Sequence, residues 1–546
     1  MAILEEILDR QEQMEARRSN WETTWERVSK LVLPRTSGFQ TKNTPGDNLS
    51  EQQYDAFPMA ALDKFAAAIE AGLMPRGNLW HKLSTGDEDM DNRQDVKIYL
   101  EKLNNLLWEQ RARPRANFAT QAHEARISLG LLGTIGMMVL PDEKGGVRYR
   151  NIHLSELYIA EDSFGFVDTV HRRFEMSARQ AVQTFGKDTP KKILEKYNAG
   201  KFSERFCFVH AVMPREDYDR SMIDDQGKAY QGVYICEETK EIVRDEGYFE
   251  NPYIVSRYAT GTREIYGRSP CIQLLPDISM LQEMRRTTID AAAMAVDPPT
   301  LEHDDVSEFD LMPGGRNPGT IDDNGRPMVM PFNSGVQVNL GLDMIQDTRA
   351  QIDDGLMGAY FRVLLENPSM TATQAMLLAQ QQGQMTAPVI GRQQSEWLGP
   401  MLRRESAILK RQGKHPEMPA ALAEYLISEN KSLEIEYVSP LTRAIRSEDA
   451  AGIMQAFEML SPWAQVDPKI FNGFDIDEVR RRIVDATGAP ASVLKDPEVI
   501  AEEEEAEAAQ AQMGQLLQAA PVAADAAKKM AEAQAISGAT GPGAMQ

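Results

Sequence analysis

Apolar side chains recur every three or four residues along two long runs near the middle of the chain, 273–296 and 342–366. This spacing predicts two amphipathic helices, each roughly 36 Å long at about 1.5 Å per residue. The segment between them, 297–335, contains six prolines and five glycines and cannot continue either helix. We therefore expect the chain to run out along one helix, fold locally, and return along the other. This arrangement is typical of a scaffold.

The first 130 residues are predicted to be mostly helical. Residues 1–33 carry an apolar face that includes Trp25 and Val32. Pro34 is expected to end this helix. Further amphipathic helices are predicted at 60–73, 95–111 and 117–129.

From Leu131 onward the pattern changes to short apolar or alternating runs, which predict strands. One helix is expected to interrupt them, opened by Thr189 and Pro190 and ended at Gly200. The result is an α+β fold that is mostly helical. The predicted strands are 134–140, 146–152, 164–174, 205–213, 229–236 and 253–258.

The last third of the chain is predicted to be helical apart from one strand at 433–440. A glutamine-rich helix is expected to start near Thr371 and to end at Gly413. The final segment, 498–546, is rich in alanine and glutamate, which predicts either a disordered tail or a helical barrel formed by several copies. Two shorter helices are predicted at 446–460 and 476–487.

Charge restricts the partners of this protein. The 546 residues include 82 acidic and 59 basic ones, a formal net charge of −23. A protein that coats nucleic acid by displacing counterions would need the opposite balance. Any contact with DNA is therefore expected to be local or steric.

Cysteine use and hydropathy predict a protein made in a reducing compartment without a membrane anchor. Cys207, Cys236 and Cys271 form no CxxC pair and are expected to be buried thiols. No window of eighteen apolar residues occurs, and the N-terminus is acidic where a signal peptide would be basic. We expect synthesis in the cytoplasm and no contact with membranes.

Motifs for catalysis and for metal or cofactor binding are missing from the sequence. No glycine-lysine pair is followed by the Ser or Thr of a phosphate-binding loop, and His123 lacks the second histidine of a zincin. Gly130, Gly133 and Gly136 stand in the wrong order for a dinucleotide-binding loop and are expected to mark a helix-to-strand corner. We therefore expect no catalytic residues, no metal and no cofactor.

Five strings along the chain resemble, in order and spacing, the portal or head-to-tail connector proteins of short-tailed, T7-like bacteriophages (podoviruses). One departure is Gln374, where that family often has glutamate. The strings are Trp21-Glu-Thr-Thr-Trp25 with Leu33-Pro34-Arg35, the stretch from Ala71 to Trp80, the stretch from Tyr266 to Met284, Met370-Thr-Ala-Thr-Gln374, and Tyr437-Val-Ser-Pro-Leu-Thr-Arg443.

The resemblance implies a phage portal fold whose copies form a dodecameric ring at one vertex of the capsid. DNA would pass through the central channel during packaging and ejection. The implied regions are a wing at 1–272, a first stem helix at 273–296, a clip at 297–340, a second stem helix at 341–366, a tunnel loop at 367–372, a further wing region with the long helix at 373–440, a crown at 441–497 and the tail at 498–546.

The tunnel loop would narrow this channel. Asn367-Pro368 is a turn signal by itself, and Thr371 suits the N-cap of the following helix. The residues alone leave an ordinary loop between two helices as the alternative. The loop comprises Asn367, Pro368, Ser369, Met370 and Thr371.

Basic residues in the stem and clip are candidates for contact with DNA or for salt bridges between subunits. A ring of lysine or arginine would bind phosphates and retard a moving duplex. The acidic balance therefore favours a channel that guides DNA by repulsion and shape, with few basic contacts. The candidates are Arg285 and Arg286 in the first stem helix, Arg349 in the second, and Arg316 and Arg326 in the clip.

The resemblance also implies a set of partners in the virion. These are further copies of the chain, double-stranded DNA bound without sequence specificity, the large terminase subunit, the major capsid and scaffolding proteins, and a tail adaptor. The protein would lie at the head-tail junction. Two other classes remain open from the residues alone, a non-viral oligomeric scaffold or adaptor without a DNA channel and an acidic hydrolase.

Overall fold

A computed structural model of the chain has an α+β architecture, as predicted. The chain divides into two compact units, one of 1–83, 103–416 and 435–444 and the other of 84–102, 417–434 and 445–546. The structure describes residues 2–40, 43–44, 46–75, 79–296, 300–301, 324, 326, 330–331, 338–358, 389–438, 452, 455–460, 479 and 530.

The described helices are α1 Ala2–Val32, α2 Phe57–Leu73, α3 Glu88–Asn92, α4 Gln94–Ala112, α5 Phe118–Leu132, α6 Ala178–Phe185, α7 Lys191–Asn198, α8 Pro270–Gln273, α9 Leu275–Val296, α10 Val338–Gly355, α11 Gly399–Arg411 and α12 Ala420–Ser428. The described strands are β1 His81–Ser84, β2 Thr134–Pro141, β3 Val147–Ile152, β4 Leu157–Glu161, β5 Val167–Ser177, β6 Arg205–Pro214, β7 Tyr230–Cys236, β8 Glu241–Tyr248, β9 Tyr253–Arg257, β10 Thr300–Leu301, β11 Met330–Pro331 and β12 Glu434–Tyr437.

Two antiparallel sheets form the centre of the first unit. The larger sheet has the strand order β4-β5-β6-β7-β8, and the smaller one has the order β3-β2-β9. Strands β10 and β11 form one separate pair, and β1 and β12 form another. The predicted strands are present, but β1, β4 and β8 were not predicted. Strand β1 has only four residues, and β8 carries charged side chains at half of its positions.

Helix α1 is fixed to the larger sheet by a buried arginine. The guanidinium of Arg18 donates hydrogen bonds to the carbonyls of Leu154, Ser155 and Leu157 at 3.1, 2.9 and 2.7 Å. It also lies 4.0 Å from the centre of the Tyr158 ring. Three carbonyl acceptors and an aromatic face compensate for the lost hydration of the cation. Hydrophobic periodicity does not reveal this contact, because it scores arginine as a solvent-facing residue.

The three spaced glycines mark the corner between α5 and β2, as predicted. Gly133 ends α5 with φ of +81°, a conformation that favours glycine. A Cβ atom there would lie 2.6 Å from the backbone nitrogen of Ser269. A Cβ atom at Gly130 would lie 2.6 Å from Cδ1 of Phe65. The corner therefore needs glycine for close approach as well as for backbone conformation.

The helix predicted between Pro190 and Gly200 is present as α7, but the segment between β5 and β6 also forms α6, which was not predicted. Helix α6 begins with a capping box, in which Ser177 accepts from the Gln180 backbone and Gln180 accepts from the Ser177 backbone. It ends at Gly186, where φ is +56°. The Ser-x-x-Gln signal was present in the sequence, but the prediction did not use it.

A buried carboxyl on α11 packs against a buried arginine of α4. Glu405 has no exposed surface, and neither of its oxygens accepts a hydrogen bond from a described residue. The Nε of Arg111 lies 3.4 Å away. Burial raises the pKa of Glu405 to about 7, although the charge of Arg111 partly opposes this rise. Burial lowers the pKa of the neighbouring His81 to about 2, so this histidine is neutral.

We expect the Glu405→Gln variant to lose a pH dependence of stability that the unsubstituted protein shows. Below the ordinary pKa of 4.5, Glu405 is protonated in both the folded and the unfolded chain. As the pH rises from 4.5 to about 7, the unfolded chain releases its proton first, so the fold loses stability. The expected loss is on the order of 3 kcal/mol.

Chemical unfolding across this pH range measures the effect. Glu109→Gln, which removes an exposed carboxyl from α4, is the matched control. Identical pH profiles for the unsubstituted protein and Glu405→Gln would contradict the prediction.

Candidate functional site

Helices α9 and α10 pack side by side and run in opposite directions. A Cβ atom at Gly341 would lie 3.1 Å from Oγ1 of Thr288, near one end of the pair. A Cβ atom at Gly355 would lie 2.7 Å from Cδ1 of Leu274, at the other end. The two close approaches require antiparallel helices. The predicted outward and returning path is therefore present. The buried apolar side chains of the pair are Ile278, Leu281, Ile345 and Ile352.

The second helix differs in its bounds from the prediction of 342–366. It begins at Val338, and Gly355 is its last residue. Met357 then has φ of +61°, a left-handed conformation that does not continue the helix. Residues 359–366 of the predicted helix lie outside the described residues. Leu342, the first residue of the predicted amphipathic run, is 41% exposed. Glycine at 355 lets Leu274 approach the backbone, and apolar spacing alone cannot detect such an interruption.

One side-chain amide joins α9 to the segment that precedes α2. The Oε1 of Gln282 accepts hydrogen bonds from the backbone nitrogens of Tyr54 and Asp55 at 2.7 and 2.8 Å. Its Nε2 donates to the carbonyls of Asp55 and Leu31 at 2.9 and 3.2 Å. Gln282 is only 4% exposed, and its two hydrogen bonds with Asp55 are buried. This set of contacts is called the Gln282 anchor below.

An ion pair joins the same segment to α10. Nη2 of Arg349 lies 2.7 Å from Oδ2 of the buried Asp55. The guanidinium is 5.7 Å from the centre of the Phe57 ring, and the ammonium of Lys64 is 5.9 Å from it. Lys64 also pairs with Asp353 of α10 at 3.1 Å. Both helices of the pair are therefore attached to the N-terminal part of the first unit.

An open cleft of about 390 Å³ lies beside these contacts. Arg285 has no ion-pair partner among the described residues. Arg349, which lines the same cleft, is paired with Asp55. The cleft contains no arrangement of nucleophile and base, so its chemistry is that of charge and hydrogen bonding. It is lined by Tyr54, Asp55, Ala56, Phe57, Ala60, Arg285 and Arg349.

The predicted basic residues have different surroundings. Arg286 is 52% exposed and forms an ion pair of 3.6 Å with Glu283 on its own helix. Arg349 forms its ion pair with Asp55 of the same chain, and Arg285 lines the cleft. Arg326 is exposed. The remaining candidates, Arg316 and the tunnel-loop residues Asn367, Pro368, Ser369, Met370 and Thr371, lie outside the described residues.

Sequence reasoning missed Gln282 and Asp55, the two residues on which the attachment depends. A polar residue at 282 lies four positions after Ile278, on the apolar face of the helix, and this was the available signal. Within the described parts of the chain, no His, Cys, Asp and Glu side chains are grouped to hold a metal ion. The helices described there include none that is long and apolar enough to span a bilayer.

Known proteins similar to this chain share nearly its whole length. A family model described as bacteriophage head to tail connecting protein matches residues 4–494. A probable portal protein of Bordetella phage BPP-1 is 27% identical over 515 residues, which cover 90% of this chain and 88% of that protein. The portal protein of Salmonella phage epsilon15 is 25% identical over 551 residues, covering 97% and 96%.

We expect the Gln282→Leu variant to be less stable by about 2–4 kcal/mol, because the buried backbone N–H of Asp55 and the partly buried N–H of Tyr54 lose their acceptor. Gln351→Leu, which changes an exposed glutamine on α10 in the same way, should stay within about 0.5 kcal/mol of the unsubstituted protein. Chemical unfolding measures both values. Equal stability of the two variants would show that the Gln282 anchor does not hold the helix pair.

Proposed function

This chain belongs to the bacteriophage head-to-tail connecting proteins, and we propose that twelve copies of it form a portal ring at one vertex of the capsid. Membership of the family makes it a structural protein of the virion that assembles with further copies and joins capsid to tail. Through the ring, DNA would enter during packaging and leave during ejection. One named relative is a portal protein and the other a probable portal protein, which supports this function over a non-viral scaffold.

The antiparallel helix pair is the observation that supports a channel. Helices α9 and α10 form an antiparallel rod that leaves apolar side chains exposed, including Ile289, Met294 and Met344. Apolar side chains that stay exposed on an isolated subunit become buried when neighbouring rods pack in a ring. We propose that the pair is the stem, and that 297–340 is the clip.

The remaining regions and partners follow from the same proposal. The wing would comprise 1–272 with the further wing region at 373–440, and 441–497 would form the crown. The clip would contact the large terminase subunit during packaging and the tail adaptor afterwards. The wing would contact the major capsid and scaffolding proteins. The tunnel loop at 367–372 would narrow the channel around duplex DNA, which the ring would hold without reading its sequence.

Charge in the channel is proposed to act mostly by repulsion. Arg349 is already neutralised by Asp55, and Arg286 has Glu283 beside it. Of the three stem arginines, this leaves Arg285 without an intrachain ion pair among the described residues. A small number of free cations suits a channel in which DNA must slide, because each phosphate contact would retard it.

Imaging of the purified protein together with its mass in solution tests the ring. We expect particles with a central hole and a mass near twelve times 61.1 kDa. Assembly with capsid and scaffolding proteins should then yield heads that package DNA when terminase is added. A monomer or dimer at every concentration, with the scaffolding protein present as well, would contradict the proposal.

We expect the double variant Arg285→Gln/Arg286→Gln to retain packaged DNA within about twofold of the unsubstituted level, because few phosphate contacts are lost. Adding Arg316→Gln and Arg326→Gln extends this test to the clip. Arg349→Gln should instead lower the yield of rings, because it leaves the buried Asp55 unpaired.

Nuclease-protected DNA in filled heads and the yield of rings are the two measurements. Lost DNA retention in the double variant with normal ring yield would show that specific phosphate contacts guide the DNA.

A further inference from the structure

A compact basic surface lies between strands β5 and β6, far in sequence from the helix pair. Residues 178–204, called the basic insert, contain six basic and three acidic side chains, in a chain whose net charge is −23. The insert consists of α6, α7 and the turns that join them to the sheet. The net charge of the insert is thus opposite in sign to the net charge of the whole chain.

The insert is folded and packs against the larger sheet. Phe185 of α6 is buried, and its ring lies 5.4 Å from the rings of both Phe208 and Tyr234 in the larger sheet. Ile193 of α7 is also fully buried. The cations are therefore presented from an ordered surface, so their binding does not require the ordering of a flexible loop.

Several of these cations converge on one carboxylate. Lys196 forms an ion pair with Glu204 at 2.9 Å. The hydrogen bond from Lys196, with smaller effects of Lys201 and Lys192, lowers the pKa of Glu204. Arg179 reaches the same region, because its backbone nitrogen donates to the carbonyl of Phe202 at 3.3 Å. One acidic group thus lies among several basic ones.

Most of the positive charge of the insert is left uncompensated. Lys196 pairs with Glu204, as described. The other five basic side chains are exposed, and among the described residues none of them has an ion-pair partner. These five are Arg179, Lys187, Lys191, Lys192 and Lys201.

We propose that the basic insert binds the phosphate backbone of double-stranded DNA outside the channel. Four of its five free cations are lysines, which act as point charges without the planar geometry that reads bases. Contact with them should therefore be independent of sequence and sensitive to salt. The proposal rests on the proposed function, which brings packaged DNA close to this protein.

An acidic protein segment is the competing partner. Such a segment would use the exposed apolar groups Leu194 and Phe202, which are 39% and 48% exposed. However, the free cations spread over both helices and their turns, and this distribution suits an extended polyanion better than a short peptide anchored at an apolar centre. DNA is therefore the partner that the observations favour.

The test compares two triple variants with equal change in charge. Lys191→Gln/Lys192→Gln/Lys201→Gln removes cations from the insert, and Lys102→Gln/Lys144→Gln/Lys410→Gln removes exposed lysines elsewhere. Fluorescence anisotropy of two short duplexes of unrelated sequence measures binding to the full-length protein over a series of salt concentrations. Circular dichroism confirms that both variants are folded.

For the insert variant we expect affinity at low salt to fall about tenfold or more. The slope of log affinity against log salt should decrease by about 2 to 3, near 0.9 for each lost phosphate contact. The control variant should stay within about twofold of the unsubstituted protein, and both duplexes should behave alike.

Equal DNA affinity of the two variants would overturn the proposal, as would a strong preference for one duplex. Normal DNA binding by the insert variant combined with failure to enter capsids would identify an acidic protein partner instead, and would also overturn it. The ring experiment is independent. If no rings form but the two variants still differ in DNA affinity, DNA binding by the basic insert stands and the proposed function fails.

Discussion

The side-chain amide of Gln282 accepts two hydrogen bonds and donates two, and these four bonds hold the base of the helix pair against the N-terminal part of the first unit. Helix α9 has 22 residues and is therefore about 33 Å long. A small change of angle at its base becomes a displacement of several ångströms at its far end. The Arg349–Asp55 ion pair fixes the second helix to the same segment. The direction of the whole rod thus depends on a few buried polar contacts.

Buried arginines likewise join α11 and the turn before it to the sheets. Arg404 donates to the carbonyls of Val139 and Glu250 at 2.7 and 2.6 Å. Arg257 is held by Glu396 at 2.8 Å, within the π-helical turn Gln394–Leu398. Each cation has acceptors that replace its water, so it links distant segments at little net cost. Apolar packing is adaptable, whereas these contacts require one arrangement of helix and sheet.

Much of the fold could be predicted from the sequence because its helices are long and amphipathic. The helices expected at 1–33 and 95–111 are present as Ala2–Val32 and Gln94–Ala112. The failures have a common cause. The close approach of Gly355 in α10 involves the remote Leu274, and the burial of Arg18 depends on carbonyls about 140 residues away. Local periodicity contains no information about partners so remote in sequence.

The same limit applies to charge. The sequence identified the stem arginines as cations, but only the fold shows that Arg349 has a buried counter-ion while Arg285 has none among the described residues. The net charge of −23 for the whole sequence likewise gives no indication of the positive charge of the basic insert. At physiological ionic strength the Debye length is about 8 Å, so acidic residues farther away are largely screened from a duplex at the insert. The total charge of the chain therefore governs its interaction with DNA less than the distribution of charge that folding creates.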